Sequence, residues 1–514
     1  MTHIPPWGDG TGRACGAAII GAAGHLVEAC GVISNGPAVL RILGLPDDGI
    51  RETRDRIRAA IINSGLWPGR TITVTLLPAS LPKHASALDL AIAVAALTAA
   101  GPAPAAATAG CVFTAELGLD GSLRPVRGVL PAVLAAAAAG CTRAVVAPEN
   151  AAEAALVPGV TVIPCWSLRA VHAWLCGDPF PGQPEIPAST TVAAPAPLPV
   201  AGLAGLAVPP LVRCVLEASA AGGHHLCLTG LPGAAIPALA AGAAALLPPL
   251  SLDEAVEVAA VHSVAGLLEP GHPLITRPPY RAPHHTATRA AILGGGLRGS
   301  RPGEASLAHR GVLFLQDAPE FARDVLAALR QPLHDGEVTV ARGGVIARFP
   351  AKFTLIASMP PCPCAGQAAC SCSPLQARRY RGRFTTELGT YIGLWLDVTR
   401  PGPAAAGTAD AAGDADAISV GRVAAARDRA RHRLAGTPWQ LNADIPGAAL
   451  RRSYQPEAEA MAPIRRAADL GEISARAAHQ VIRVAWTLAD LAGNARPGAD
   501  ECGRALAFQL GVSR

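Results

Sequence analysis

The stretch Leu226 to Pro237, LCLTGLPGAAIP, decides how the rest of the chain is read. Four mostly apolar residues enter a Gly-Leu-Pro-Gly turn, and an Ala-rich segment follows to Leu250. A buried strand, a tight loop and the start of a helix have this outline. The phosphate-binding pattern is G-x-x-x-x-G-K-[ST]: backbone N–H groups cradle phosphates, the Lys meets the β- and γ-phosphates, and the hydroxyl holds Mg²⁺. Here the pattern begins at Gly230 and the loop keeps Gly233. The second pattern Gly falls on Ala235, the Lys on Ile236 and the Ser/Thr on Pro237. The shape of an ATP site survives, while its cation, its magnesium ligand and one N–H are gone. Taken alone, the segment also reads as a plain turn between strand and helix.

Outward from this stretch, the composition is that of a globular α/β chain. Its 514 residues are half apolar and few are aromatic, while 54 Gly and 47 Pro mark Pro-rich seams; about two to four domains fit in that length. A net charge of +5 permits a nucleic-acid partner without demanding one. The N-terminus lacks a basic start followed by a signal-type apolar core. The run Leu90 to Ala100 is too short to span a bilayer, and Leu226 to Leu250 is broken by Pro232, Pro237, Pro248 and Pro249. The expectation is a cytoplasmic protein with no membrane partner.

Residues 1–175 read as one α/β domain. Strands are expected in AAIIGAAGHLVEACGVIS, Ala38 to Leu45, Thr71 to Leu77, Ala144 to Ala147 and Val160 to Pro164. Helices are expected over Asp47 to Ser64, Leu88 to Ala100 and Ala132 to Ala139. Residues 176–210 are dense in Pro and Ala and read as a semi-rigid linker. A second α/β domain follows over 211–400. Gly402 to Asp416 forms another Ala/Gly/Asp-rich seam, and the remainder of 401–514 is charged and helical, closing with Ser474 to Gly493.

Four long motifs now carry a resemblance: RAPHHTATRAAILGGG (281–296), RPGEASLAHRGVLFL (301–315), LRQPLHDGEVTVAR (329–342) and PCPCAG (361–366). Together with GHLVEACGVISNG and RTITVTLLPASLPKHASALDLAIAVAAL upstream and HQVIRVAWTLADLAG (479–493) downstream, they resemble the magnesium-chelatase-like AAA+ family of the YifB and ComM type. The resemblance implies a Lon-protease-like N-terminal domain of ribosomal-protein fold, a P-loop AAA+ core and a C-terminal helical lid. It also implies ring assembly and, for ComM-like members, ATP-driven branch migration of DNA in recombination.

The departures from that family fall on its catalytic positions. Its Asp-Glu pair, which would hold Mg²⁺ and polarise water after the strand GVLFL, falls on Gln316 and Asp317. Its γ-phosphate sensor Asn falls on Pro360, and the Asp and Arg of its S-G-P-L-L-D-R-I-D segment fall on Thr390 and Tyr391. Arg483 is the main surviving charge that the resemblance would bring to nucleotide. Phosphoryl transfer depends on preorganised charge, of which an arginine finger alone contributes ~10³–10⁵ in rate. The reading is therefore a vestigial nucleotide site with ATP and Mg²⁺ binding weak or absent. The Lon-type Ser–Lys dyad is missing too: the nucleophile position falls on Ala87, beside Ser86, and the Lys near Leu130.

Of thirteen cysteines, nine are scattered among apolar residues, while Cys362, Cys364, Cys370 and Cys372 form C-x-C-x₅-C-x-C. Four thiolates can close a tetrahedral Zn²⁺ shell with no open position, which suits structure rather than catalysis. The same pattern also fits four reduced thiols in a loop. Two basic clusters could meet nucleic-acid phosphates: one with Arg281, Arg289, Arg298 and Arg301, the other with Arg378 and Arg381. Ordinary solvated charge or subunit pairing reads equally from them.

Three functions remain open from sequence. The first is a homologue without ATP hydrolysis that associates with DNA or scaffolds a ring, as a homo-oligomer or with an intact homologue. The second is an atypical ATPase and branch-migration helicase in which Asp317 replaces the missing acid. The third is a protein-interaction module.

Overall fold

The computed structural model describes residues 11–45, 47–83, 86–101, 103–178, 203, 208–230, 235–269, 271, 273–296, 301–342, 345–364, 370–398 and 409–511. Gly233 and Arg298 lie outside them, as does nearly all of the linker expected at 176–210.

The first unit is built on a long hairpin, Thr11–Ile20 with Ala23–Ser34, paired antiparallel from Thr11↔Val32 to Ile20↔Ala23. Five more strands complete a seven-stranded sheet in the order Leu40–Leu43, Thr71–Leu77, Ala23–Ser34, Thr11–Ile20, Cys111–Thr114, Arg143–Val146 and Thr161–Pro164. The apolar run read as a helix is Asp89–Ala100, buried along almost its whole length. It sits directly on the hairpin because two strand positions lack side chains. A Cβ on Gly12 would lie 2.2 Å from the Ala99 nitrogen, and one on Gly31 would lie 2.5 Å from the Ala95 oxygen.

The second unit is a five-stranded sheet in which every pairing is parallel. Its spatial order is Tyr280–Arg281, Val312–Leu315, Thr354–Met359, Leu226–Gly230 and Leu394–Val398. The strand that is first in sequence thus lies between the fourth and the fifth. Strands buried on both faces read as continuous apolar runs, which is why LCL and VLFL were legible, while the strand Thr354–Met359 was not read from the sequence. The helices Pro210–Gly222 and Ile236–Ala245 join one core beside this sheet, and Pro374–Leu388 joins the other through Phe384 and Leu388.

The seam expected at Gly402 to Asp416 is only partly a seam, because a helix spans Ala409–Arg433. It runs alongside Pro210–Gly222, with ion pairs Arg213–Asp416 at 3.2 Å and Arg422–Glu217 at 3.2 Å. Tertiary packing here overrides the weak propensity of a Gly-containing sequence. The chain also does not close at Gly493, since a further helix covers Ala499–Leu510.

Among the described residues the two units touch at the hairpin turn and beside Glu153. The turn nitrogen of Ala22 donates to the Arg348 carbonyl at 3.1 Å. Elsewhere the Ser263 hydroxyl donates to buried Glu153, whose carboxylate also accepts from Leu130 N at 2.8 Å and from the Asn150 amide at 3.3 Å. Burial raises the Glu153 pKa. Among the described residues no helix is long and apolar enough to cross a membrane.

Candidate functional site

In an open parallel sheet, ligands sit beyond the carboxyl ends of the strands at the switch in strand order. That switch flanks Leu226–Gly230, so Gly230 stands where a phosphate loop belongs. The helix that follows, Ile236–Ala245, has Ala235 at its N-cap with no side-chain cap, and Pro237 in its first turn. Ile236 is buried in the apolar core. At the point where a cation would meet phosphate, the chain turns a hydrocarbon inward.

The neighbouring strand ends carry little of the missing charge. Gln316 is exposed just after Val312–Leu315. Asp317 adopts a left-handed conformation, φ 52°, and its N–H donates to Ser358 Oγ at 2.6 Å. Pro360 follows Thr354–Met359, with no side-chain amide to sense a phosphate. Asp317 is the one acid of the expected pair present at this edge.

Arg483 is placed elsewhere. It lies on the helix Ala475–Ala492, where Nε donates to the Ile445 carbonyl at 2.8 Å and Nη1 to Gln480 at 3.3 Å. Its neighbour His224 precedes the strand Leu226–Gly230, at the end opposite Gly230. The surrounding contacts agree: His224 Nε2 lies 2.7 Å from Thr487 Oγ1, Lys352 pairs with Asp444 at 3.0 Å, and the Gln480 amide reaches the Tyr391 carbonyl at 3.4 Å. These residues come just before strands, so the C-terminal helices close the amino ends of the sheet. Beneath them Arg433 donates two hydrogen bonds to buried Asp490, at 2.5 and 2.7 Å, and stacks on Trp486 with 4.4 Å to the ring centroid. Burial pushes the His224 imidazole down to about 3.

In the first unit, Lys83 donates to the carbonyls of Pro78, at 2.5 Å, and Leu81, at 3.1 Å. Leu130 is fully buried in the helix Val129–Ala138. Ala87 and Leu130, the positions of a Ser–Lys dyad, supply neither group.

The four clustered cysteines do converge. Their Sγ atoms all lie within 4.8 Å of one another, and no other such group of His, Cys, Asp and Glu occurs among the described residues. Cys362 is buried and Cys370 exposed. His284 and His285 stack on each other at 4.1 Å, with His284 bonded to Thr286 at 2.8 Å and His285 edge-on to Phe321.

The two basic clusters differ in a way the sequence does not show. In the first, Arg281 makes a double hydrogen bond to Glu304, at 2.6 and 2.8 Å, and the neighbouring Arg310 pairs with Glu254 and Glu257. Arg289 and Arg301 are exposed. In the second, Arg378, Arg379, Arg381 and Arg383 all lie exposed on the helix Pro374–Leu388, and none forms an ion pair among the described residues. The Glu304 partner, 23 residues from Arg281, has no local sequence signal.

Comparison with known proteins matches three family models: Magnesium chelatase, subunit ChlI, over residues 207–405; Subunit ChlI of Mg-chelatase over 31–150; and Magnesium chelatase, subunit ChlI C-terminal, over 416–509. The chain is 43% identical to the protein Rv2897c of Mycobacterium tuberculosis, over 98% of this chain and 99% of the relative. It is 36% identical to YifB of Salmonella typhimurium over 89% of each chain. It is 33% identical to competence protein ComM of Haemophilus influenzae, over 93% of this chain and 94% of the relative. With a parallel α/β core and relatives of this likeness along nearly its whole length, the chain belongs to the magnesium-chelatase-like AAA+ family of the YifB/ComM type.

Proposed function

We propose that this chain is a YifB/ComM-type homologue that has lost ATP hydrolysis and works as a DNA-associated or ring-scaffolding protein. The observation that carries the reading is the start of the helix Ile236–Ala245, where buried Ile236 and Pro237 replace the cation and hydroxyl that hold Mg²⁺-ATP. Gln316 and Pro360 at the adjacent strand ends add no compensating charge. The N-terminal unit serves in this reading as an inert Lon-like domain, and assembly is with itself or with an intact homologue. DNA is the partner, met through exposed arginines, and a structural Zn²⁺ sits on the four cysteines.

A second reading rests on Asp317, which stands at the strand end where an acid-substituted ATPase would need it. Phosphate release from Mg²⁺-ATP by the full chain, with and without DNA, separates the two. The proposal expects no release above buffer for wild type and Asp317→Ala alike. Turnover that Asp317→Ala abolishes would establish the second reading instead.

A further inference from the structure

The thiol cluster lies directly before the arginine helix in the chain. The chain leaves the fixed strand Thr354–Met359, passes Cys362 within three residues, and enters the helix Pro374–Leu388 immediately after Cys372 and the N-cap Ser373. The Cys362–Cys364, Cys364–Cys370 and Cys362–Cys370 sulfur separations are 3.2, 3.3 and 3.6 Å. Tetrahedral Zn–S bonds of about 2.3 Å place sulfurs about 3.8 Å apart. These three separations fall a little short of that spacing, all four sulfurs lie within 4.8 Å of one another, and each separation is wider than a disulfide bond.

The helix itself is prepared for a partner. Ser373 Oγ accepts from Gln376 N at 3.3 Å and Gln376 Oε1 accepts from Ser373 N at 2.8 Å, so its first turn is fully capped. Tyr380, Phe384, Glu387 and Leu388 form its buried stripe. Glu387 is its only acid, and Arg323 and Arg330 hold it at 2.9 and 2.6 Å. The middle of its exposed face is therefore basic, between exposed Leu375 and Gln376 at one end and Thr386 at the other, and a Cβ on Gly382 would meet nothing within 4 Å. Four thiolates with one Zn²⁺ carry a net charge of −2, which the positive N-terminus of the following helix stabilises.

We infer that the four cysteines hold Zn²⁺ and that this ion braces the helix Pro374–Leu388 so that Arg378, Arg379, Arg381 and Arg383 meet nucleic-acid phosphates as a fixed row. The inference deepens the reading above and rests on it for both the metal and the DNA. The ion ties the helix start to a rigid strand; without it the arginines keep their charge but lose their common placement. Phosphate contacts of this kind position a strand without reading its sequence.

The test uses the full chain in four forms: wild type, wild type stripped by a chelator, Cys362→Ser with Cys370→Ser, and Arg378→Gln with Arg381→Gln. Each is measured for zinc by mass spectrometry and for binding of a labelled single-stranded DNA by anisotropy across a salt series. Wild type should carry about one zinc per chain. The thiol variant and the stripped protein should lose the zinc and bind DNA roughly fivefold or more weakly. The arginine variant should keep the zinc, while its log–log salt slope falls by about 1.4, the share of two phosphates on single strands. Equal, near-zero zinc in wild type and thiol variant overturns the metal site. Zinc lost with DNA affinity unchanged overturns the brace; the stripped wild type decides this if the thiol variant fails to fold. Zinc present with no DNA bound at low salt overturns the phosphate-binding role and the DNA reading, while leaving the metal site standing.

Discussion

Two neighbouring strands of the same parallel sheet have opposite characters beyond their ends. After Leu226–Gly230 the chain resumes in a buried, uncharged helix start, and the residues before that strand are sealed under the C-terminal helices by His224, Thr487, Asn442, Asp490 and Arg433. After Thr354–Met359 it emerges into thiols and exposed arginines that form no ion pair among the described residues. The first region has the architecture of an engine without its charges; the second has charges that the fold itself does not consume. Activity should therefore be sought on the second strand's side and stability on the first's.

The largest effect should come from breaking the seal. Asp490→Ala leaves the mostly buried Arg433 with Asn442 but without its charge partner, and removing one member of a buried pair costs up to about 3–5 kcal/mol. Denaturant unfolding checks this, and DNA binding measured well below the unfolding midpoint should be unchanged. If DNA binding fell while stability held, the division between the two regions would be wrong.

A smaller effect concerns acid. The folded His224 is held neutral by burial, with its pKa down at about 3, while in the unfolded chain it titrates near 6.5. The unfolded state thus takes up a proton that the folded state refuses. Stability is fully present above about pH 6.5 and falls as pH drops below it, by about 1.4 kcal/mol per pH unit. His224→Gln should remove its share of that dependence and leave that of the neighbouring His225, which burial also pushes down, to about 4. An unchanged slope in the variant would show that His224 does not sense the closure.

The smallest expected change sharpens the comparison from the other side. Ile236→Lys with Pro237→Thr restores the two side chains of the phosphate pattern, yet phosphate release should stay at background. The acids and the sensor at the neighbouring strand ends are still missing. Turnover in this variant would mean that the loss lies in the loop alone.

Much of this arrangement was legible in the sequence, for stated physical reasons. TITVTLL alternates as a strand does, LCLTG and GVLFL are short apolar runs, and the longer, almost wholly apolar run to Ala100 reads as a buried helix. The four cysteines are close in sequence, so their convergence required little of the fold. Other features depend on tertiary contacts that no local pattern encodes. The helix Ala409–Arg433 begins in an Ala/Gly/Asp-rich seam, and the pairing of Asp416 with Arg213 joins positions 203 residues apart. The final helix Ala499–Leu510 had a local signal, Gly498 bonded to Glu501 at 2.8 Å with acids in its first turn, which the reading to Gly493 passed over. Arg281 and Arg378 look alike in sequence; the fold brings Glu304 to the first and, among the described residues, no ion-pair acid to the second.

The central proposal is that the strand end at Gly230 does not take Mg²⁺-ATP. Titration of the full-length protein with Mg²⁺-ATP by isothermal calorimetry addresses it directly. The account predicts no saturable heat at protein concentrations where a micromolar site would be fully resolved, and a saturating isotherm with micromolar Kd would contradict it.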